Sequence, residues 1–148
     1  MISLHDAGPD DSAAVYEWRN DEATRAASVS QESVEWADHE RWYAGVLANR
    51  SRHLYIARDG AERVGLCRFD VDGRDAEVSI NLNPAFRGRG YAGRILGGAI
   101  ERFRAGAGVG IRLTATIRSE NAASMRTFVA LGFVPSRSEP GLEHVELG

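Results

Sequence analysis

The spacing of apolar residues changes period several times along the chain, and each change marks an element. Ile2 and Leu4 alternate with polar neighbours, which predicts a short strand over 2–5. Pro9-Asp10-Asp11 then places a proline and two carboxylates where a helix starts. Ala14, Val15 and Trp18 share one face of that helix, which ends near Arg19-Asn20-Asp21. A polar link leads to a second helix over 32–48, whose apolar positions Trp36, Tyr43, Val46 and Leu47 keep helical spacing, with Trp36 read as core. From residue 53 the period drops to two. Strands are predicted over 53–57, 63–69 and 76–82, joined at Asp59-Gly60 and Asp72-Gly73, an antiparallel meander that Pro84 stops. A glycine-rich loop precedes a helix over 91–104, which Gly106, Gly108 and Gly110 terminate. Residues 111–117 alternate with β-branched side chains and read as a strand. Residues 121–131 read as a helix closed by Gly132, and 133–134 and 144–147 as two short final strands. The order is βααβββαβαββ, an α/β (α+β) fold with a mixed, mostly antiparallel sheet.

Composition narrows the partners. With 148 residues the chain is expected to be a single domain, 1–148, large enough to bury a full core. A net charge of -3 argues against nucleic acid as a partner. No apolar run approaches the length of a membrane span, and no leader pattern opens the chain, so a cytoplasmic protein without a membrane partner is expected. The single cysteine, Cys67, rules out an internal disulfide and a multi-cysteine zinc site, and no metal is expected. All 18 basic residues are arginine, so there is no lysine to act as a base or Schiff-base nucleophile. Monomer and homodimer both remain open.

Chemistry concentrates in NLNPAFRGRGYAGRIL, residues 81–96, which contains the string G-x-G-x-x-G. A dinucleotide fold needs that string after a first parallel strand and an acidic residue about 20 positions further on. Here a meander comes first, and residues 102–119 contain no Asp or Glu. An anion remains a suitable ligand, because a helix N-terminus offers unpaired N–H groups and glycines let the backbone approach closely. Arg87 and Arg89 add full charges. Taken alone, the loop reads equally as an anion cradle and as a strand-to-helix turn with solvated arginines.

Two segments together resolve this by resemblance. Arg87-Gly-Arg-Gly90-Tyr-Ala92 resembles the R/Q-x-x-G-x-G/A element of the GNAT acyltransferase superfamily. Asn121-Ala-Ala-Ser124, with Phe128, Gly132 and Phe133 at the matching spacing, resembles that family's second element. The resemblance extends over essentially the whole chain and implies a GNAT-type sheet with helices on both faces and acetyl-CoA as the cofactor. It implies a splay between the strand ending at Leu82 and the next strand, with backbone of Leu82 and Asn83 pairing with the pantetheine. Arg87, Gly88, Arg89, Gly90, Tyr91 and Ala92 would surround the pyrophosphate, Asn121 and Ser124 would touch the arm, and Phe128 would pack along it.

The implied reaction is direct transfer of an acetyl group from the thioester to a primary amine, which needs a base for the amine and an acid for the leaving thiolate. Phe128 stands where many members carry a tyrosine acid, and phenylalanine has no proton to give. Ser124, one turn earlier, is the expected substitute, its alternative role being packing; Tyr91 and Tyr43 are further candidates. Glu77 reads equally as the base and as an exposed edge glutamate, because one bulged residue would reverse the face it occupies. His39 and His53 are alternatives, although a lone histidine is more often structural. Cys67 reads as core.

The expected small-molecule acceptor site comprises Trp18, Arg19, Asn20, Arg25, His39, Trp42 and Arg68. This succession resembles the branch that acetylates nucleotide-linked amino sugars and, more loosely, the ribosomal-protein N-terminal acetyltransferases. Arginines suit a diphosphate and tryptophans a base or sugar ring. Asp21, Glu22, Glu35, Asp38 and Glu40 would instead suit a peptide N-terminus. A non-catalytic acyl-CoA-binding module is the reading that the missing tyrosine favours.

Overall fold

Alternation within the central meander sorts its side chains onto two faces, and each face collects its own helices. The computed structural model describes residues 1–29 and 32–148 and forms one seven-stranded sheet in the order β1-β2-β3-β4-β5-β7-β6. The strands are β1 (Ile2–Asp6), β2 (Arg52–Asp59), β3 (Glu62–Asp72), β4 (Asp75–Leu82), β5 (Arg112–Arg118), β6 (Val134–Glu139) and β7 (Leu142–Leu147). Every neighbouring pair is antiparallel except β4–β5. The helices are α1 (Ser12–Asn20), α2 (Glu22–Ala27), α3 (Trp36–Ala48), α4 (Tyr91–Ala105) and α5 (Ala122–Ala130).

Leu54, Ile56 and Leu66 point toward α1 and α3, where Val15, Trp18, Tyr43 and Val46 complete one apolar cluster. Cys67, Phe69, Val78 and Ala115 point the other way, onto Ile95, Leu96 and Phe103 of α4 and Phe128 of α5. Phe69 stacks on Phe103 with ring centroids 4.2 Å apart. Each buried Val, Leu, Ile or Phe side chain among them contributes about 1.5–3 kcal/mol of transfer free energy.

Three expectations need correction. The polar link contains a helix, α2, because Asp21 caps it: its carboxylate accepts from the Thr24 N–H at 3.0 Å. The part of that link at 30–31 lies outside the described residues. The next helix begins at Trp36 instead of residue 32, and Trp36 and Leu47 are 40% and 38% exposed. Its inward stripe is His39, Tyr43 and Val46, spaced i, i+4, i+7, and the half-exposed Trp36 at the helix start packs against the edge of Tyr16 and the ring of His39. The strand predicted at 133–134 begins at Val134 and runs to Glu139; its exposed polar sequence hid an edge strand.

His39 is a fully buried member of that stripe. Its Nε2–H donates to the Ser12 carbonyl at 3.0 Å and its ring stacks on Tyr43, which fastens α3 to the start of α1. Burial pushes the pKa of His39 down, partly opposed by the bond to Ser12. The unfolded chain then binds the proton more readily, so this contribution to stability is intact above about pH 6.5 and declines as pH falls toward the folded-state pKa. Melting temperature should therefore drop between about pH 7.5 and about pH 5, and His39→Leu should remove most of that drop. An undiminished drop in the variant would clear His39 as its source.

Candidate functional site

β4 and β5 pair only where Asp75, Ala76 and Glu77 meet Arg112, Leu113 and Thr114, although β4 continues to Leu82 and β5 to Arg118. From Val78 onward the two strands part. The β3–β4 register is unbroken, and the Asn83 N–H donates to the Val64 carbonyl at 2.9 Å. In an antiparallel ladder this alternation turns the backbone of residues 83, 81 and 79 toward β3, and that of Leu82, Ile80 and Val78 toward the gap. Leu82 therefore turns its backbone toward the gap. Asn83 does not: its N–H is taken, its Nδ2 donates to the Arg63 carbonyl at 2.8 Å and its Oδ1 accepts from the Ala85 N–H.

At the mouth of the gap, Gly88 and Gly90 adopt φ of 73° and 75°, and Gly90 is the N-cap of α4 without a side-chain cap. The first N–H groups of α4, starting at Tyr91 and Ala92, lack intrahelical acceptors there. The Tyr91 side chain turns inward and donates to Asp59 at 2.6 Å, so it anchors the loop and is no acid for the gap. Arg89 lies 5.3 Å from the Phe86 ring centroid with no ion pair among the described residues. Exposed Arg94, which the sequence reading passed over, lies on the same first turn of α4 over Tyr91. Arg87 is not a free charge: its guanidinium donates to Asp21 at 2.8 Å and also to the Thr24 hydroxyl.

That contact gives α2 a position. Its N-terminal end is tied to Arg87 of the glycine loop, and at its C-terminal end the Ala27 carbonyl accepts from Asn121 Nδ2 at 3.4 Å. The helix missed in the sequence thus links the glycine loop to the start of α5. Its signal was present, Asp21 followed three residues later by Thr24 within a run of good helix formers.

On α5, Asn121 is the N-cap, its Oδ1 accepting from the Ser124 N–H at 3.1 Å, an interaction worth about 1 kcal/mol. The Ser124 hydroxyl is half-buried and makes no hydrogen bond among the described residues. Phe128 is 2% exposed and meets Phe133 edge-on at 4.9 Å, so it belongs to the core and not to a ligand surface.

The unbroken β3–β4 register also fixes the face of Glu77, which is exposed there. Ala76 and Val78 are buried toward α4, so Glu77 lies on the opposite face, directly across from Asp70 and beside Thr114. The next cross-strand pair on that face is Arg68 and Ser79. Arg68 donates to Asp70 at 3.1 Å, and its guanidinium lies 5.3 Å from the Trp42 ring centroid. Arg19 lies 4.4 Å from the same ring. Its Nη1 and the Nε of Arg25 are buried without partners among the described residues. Burial, and then repulsion from Arg68, hold the Arg19 pKa below its ordinary value.

The other predicted acceptor residues are structural. Trp18 is core, and Asn20 clamps Val34 through both its amide atoms, at 2.8 and 2.7 Å, because the chain between α2 and α3 needs its backbone satisfied. His39 is spent on Ser12, and His53 packs on Phe103 across the sheet from Glu77. Tyr43 donates to the Gly8 carbonyl at 2.6 Å, and burial raises the pKa of both it and Cys67, keeping them protonated. An open groove of about 720 Å³ runs alongside α1 to Asn83 and Ala85; Trp18 and Asn20 touch it, but Arg68, Glu77 and Ser124 do not.

The arrangement suits a diphosphate with a long amide-bearing arm: left-handed glycines, uncapped N–H groups and Arg89 at the mouth, then a free backbone edge leading inward. A family profile described as an acetyltransferase (GNAT) domain matches residues 2–134. No curated protein sequence matches the chain. Among solved structures, spermidine N-acetyltransferase from Vibrio cholerae, in complex with CoA and spermine, superposes with a TM-score of 0.86 at 14% identity, over 98% of this chain and 92% of that one. The putative acetyltransferase yncA from Salmonella typhimurium, with acetyl-CoA, gives 0.79 at 23% over 99% and 92%. A putative phosphinothricin N-acetyltransferase gives 0.79 at 27% over 99% and 97%. No helix among the described residues is long and apolar enough to cross a membrane.

The cradle is testable at Gly90, where an added Cβ would meet nothing within 4 Å but would sit on a left-handed backbone. Gly90→Ala should cost about 1 kcal/mol of stability. Gly90→Glu should in addition place a carboxylate against the phosphates and weaken acetyl-CoA binding by at least about tenfold in calorimetry. An unchanged dissociation constant in the glutamate variant would remove the cofactor from this loop.

Proposed function

Because the chain belongs to the GNAT acetyltransferase family, it is an N-acetyltransferase that draws on acetyl-CoA, and we propose that its acceptor is a primary amine carrying an anionic group. A nucleotide-linked amino sugar is one form of such an acceptor. One observation supports this reading above the others: two guanidiniums, Arg19 and Arg68, crowd one tryptophan ring, and a buried Arg19 nitrogen has no partner among the described residues. An anion there would relieve both the repulsion and the unmet hydrogen bond.

Bound in the β4–β5 gap, acetyl-CoA would supply an acyl group activated as a thioester. The backbone of Leu82, Ile80 and Val78 would hold its arm, and the N–H groups of Gly88, Gly90, Tyr91 and Ala92 with Arg89 would hold its diphosphate. Glu77, at the closed end of the gap, attracts the acceptor's ammonium and takes its first proton. The Ser124 hydroxyl, unpartnered among the described residues, serves as the donor near the sulfur in place of the absent tyrosine. A polycation such as spermidine would be repelled by Arg19 and Arg68. A peptide N-terminus finds fewer free carboxylates than the sequence suggested, since Asp21 is spent on Arg87 and Asp38 on Arg41.

CoA release with a UDP-linked 4-amino-sugar, phosphinothricin, spermidine and a peptide N-terminus distinguishes these. The anionic amines should be turned over fastest. Arg19→Ala should raise their KM by about tenfold with acetyl-CoA binding unchanged, and Glu77→Gln should lower kcat by about hundredfold. Preference for spermidine or the peptide would sink the acceptor proposal. Tight acetyl-CoA binding without CoA release from any amine would favour a binding module.

A further inference from the structure

A second chain of proton-transfer groups lies on the β5 rim of the gap and is absent from the motifs above. Thr116 stands two residues beyond Thr114, the last residue of β5 opposite β4, and its cross-strand partner on β7 is His144. Leu113, Ala115 and Ile117 are buried toward α4 and α5, so alternation puts Thr114, Thr116 and His144 on the face that Glu77 occupies. Thr116 Oγ1 lies 3.2 Å from His144 Nδ1. On its other side, His144 Nε2 contacts Glu139 Oε2 at 2.5 Å. The carboxylate accepts the Nε2–H, which fixes the tautomer and leaves Nδ1 as an acceptor for the Thr116 hydroxyl. His144 is 19% exposed in its side chain, sheltered but reachable.

We infer that Glu139, His144 and Thr116 form a relay that removes the second amine proton from the β5 side of the gap. The inference rests on reading that gap as the place of acetyl transfer. An ammonium acceptor must lose two protons to become an amide, and Glu77 takes the first. In the transfer step the nitrogen lone pair forms the N–C bond and the C–S bond breaks with its electron pair on sulfur. The N–H proton passes to Thr116 Oγ1 while the hydroxyl proton passes to His144 Nδ1, and the resulting imidazolium stays bonded to Glu139. The charged groups around the ring are few. Glu139 and Arg137 face it from β6, with Arg137 Nη2 3.3 Å from Nε2. On the same face, Glu146 of β7 pairs with Arg112, and Arg118 of β5 pairs with Glu120. The pull of His144 and Arg137 keeps Glu139 ionised, its pKa below the ordinary glutamate value.

Two measurements test the relay. The first is the pH profile of kcat/KM with the UDP-linked 4-amino-sugar and with phosphinothricin. His144→Gln and Thr116→Val should each lower kcat/KM by about hundredfold near neutral pH and change the shape of its pH profile. Thr116→Ser should restore both, and acetyl-CoA affinity should not change in any of the three. A His144→Gln enzyme with the wild-type profile would overturn the relay. The second is ¹⁵N NMR of the histidines in the ligand-free protein. His144 should be the Nε2–H form, with an Nδ1 resonance that moves in Thr116→Val; the other tautomer, or no movement, would also overturn it. If wild type turns over none of the amines, the proposed function fails while the NMR result still decides the relay.

Discussion

The brevity of the β4–β5 pairing is the constraint on which the rest of the molecule depends. These strands form the one parallel pair in an antiparallel sheet, and a parallel pair requires a crossover, which α4 supplies. Three residue pairs hold the strands together; beyond Glu77 and Thr114 the backbone edge of β4 has no pairing with β5. Polar backbone at such an edge needs a partner, from water or from a ligand. The crossover helix starts at the open end of the gap, so its uncapped N–H groups and left-handed glycines stand beside the free edge. An anion site and an extended-chain site are thereby joined by topology.

Much of this was legible in the chain. The period-two meander, the glycine loop and the helix after it occupy the places that the pattern predicts, because each carries a strong local signal: alternation, Asp-Gly turns, glycines at positive φ. What the pattern could not carry was the identity of each side chain's partner. Arg87 looks like a free cation in the sequence, and its neutraliser, Asp21, is 66 residues away. Asn20 looks like part of a binding motif, and its amide instead holds Val34. The face of Glu77 depended on whether β3 and β4 keep an unbroken register, which no local pattern reports.

The family's letters also prove to have two layers of meaning. Asn121 caps α5, Tyr91 ties α4 to Asp59, and Phe128 fills the core beside Phe133. Each of these would hold the loop and helix in place whether or not a ligand were bound. Among the described residues, the groups of these motifs left without a partner are mostly backbone, at Leu82 and at the start of α4, together with Arg89 and the Ser124 hydroxyl. A sequence motif therefore marks the scaffold as strongly as it marks the contacts, and substitutions at Asn121 or Tyr91 would act first through stability.

The two faces of the sheet divide the remaining labour. The apolar α4 face fixes the strands, and the opposite face beyond α1 and α3 gathers Arg68, Asp70, Glu77, Thr114, Thr116 and His144 around the gap. Its charges are of both signs. Asp70 accepts from Arg68 at 3.1 Å and lies 3.7 Å from Arg52, while Arg19 has no carboxylate partner among the described residues. Burial, and then repulsion from Arg68, already disfavour Arg19's charge, so a second cation arriving there would deepen that penalty and an anion would lessen it. Glu77 and the Glu139–His144–Thr116 chain, on the two rims of the gap, supply the opposite polarity where the amine must arrive. The proposed acceptor, with its amine and its anion at separate ends, would meet both requirements.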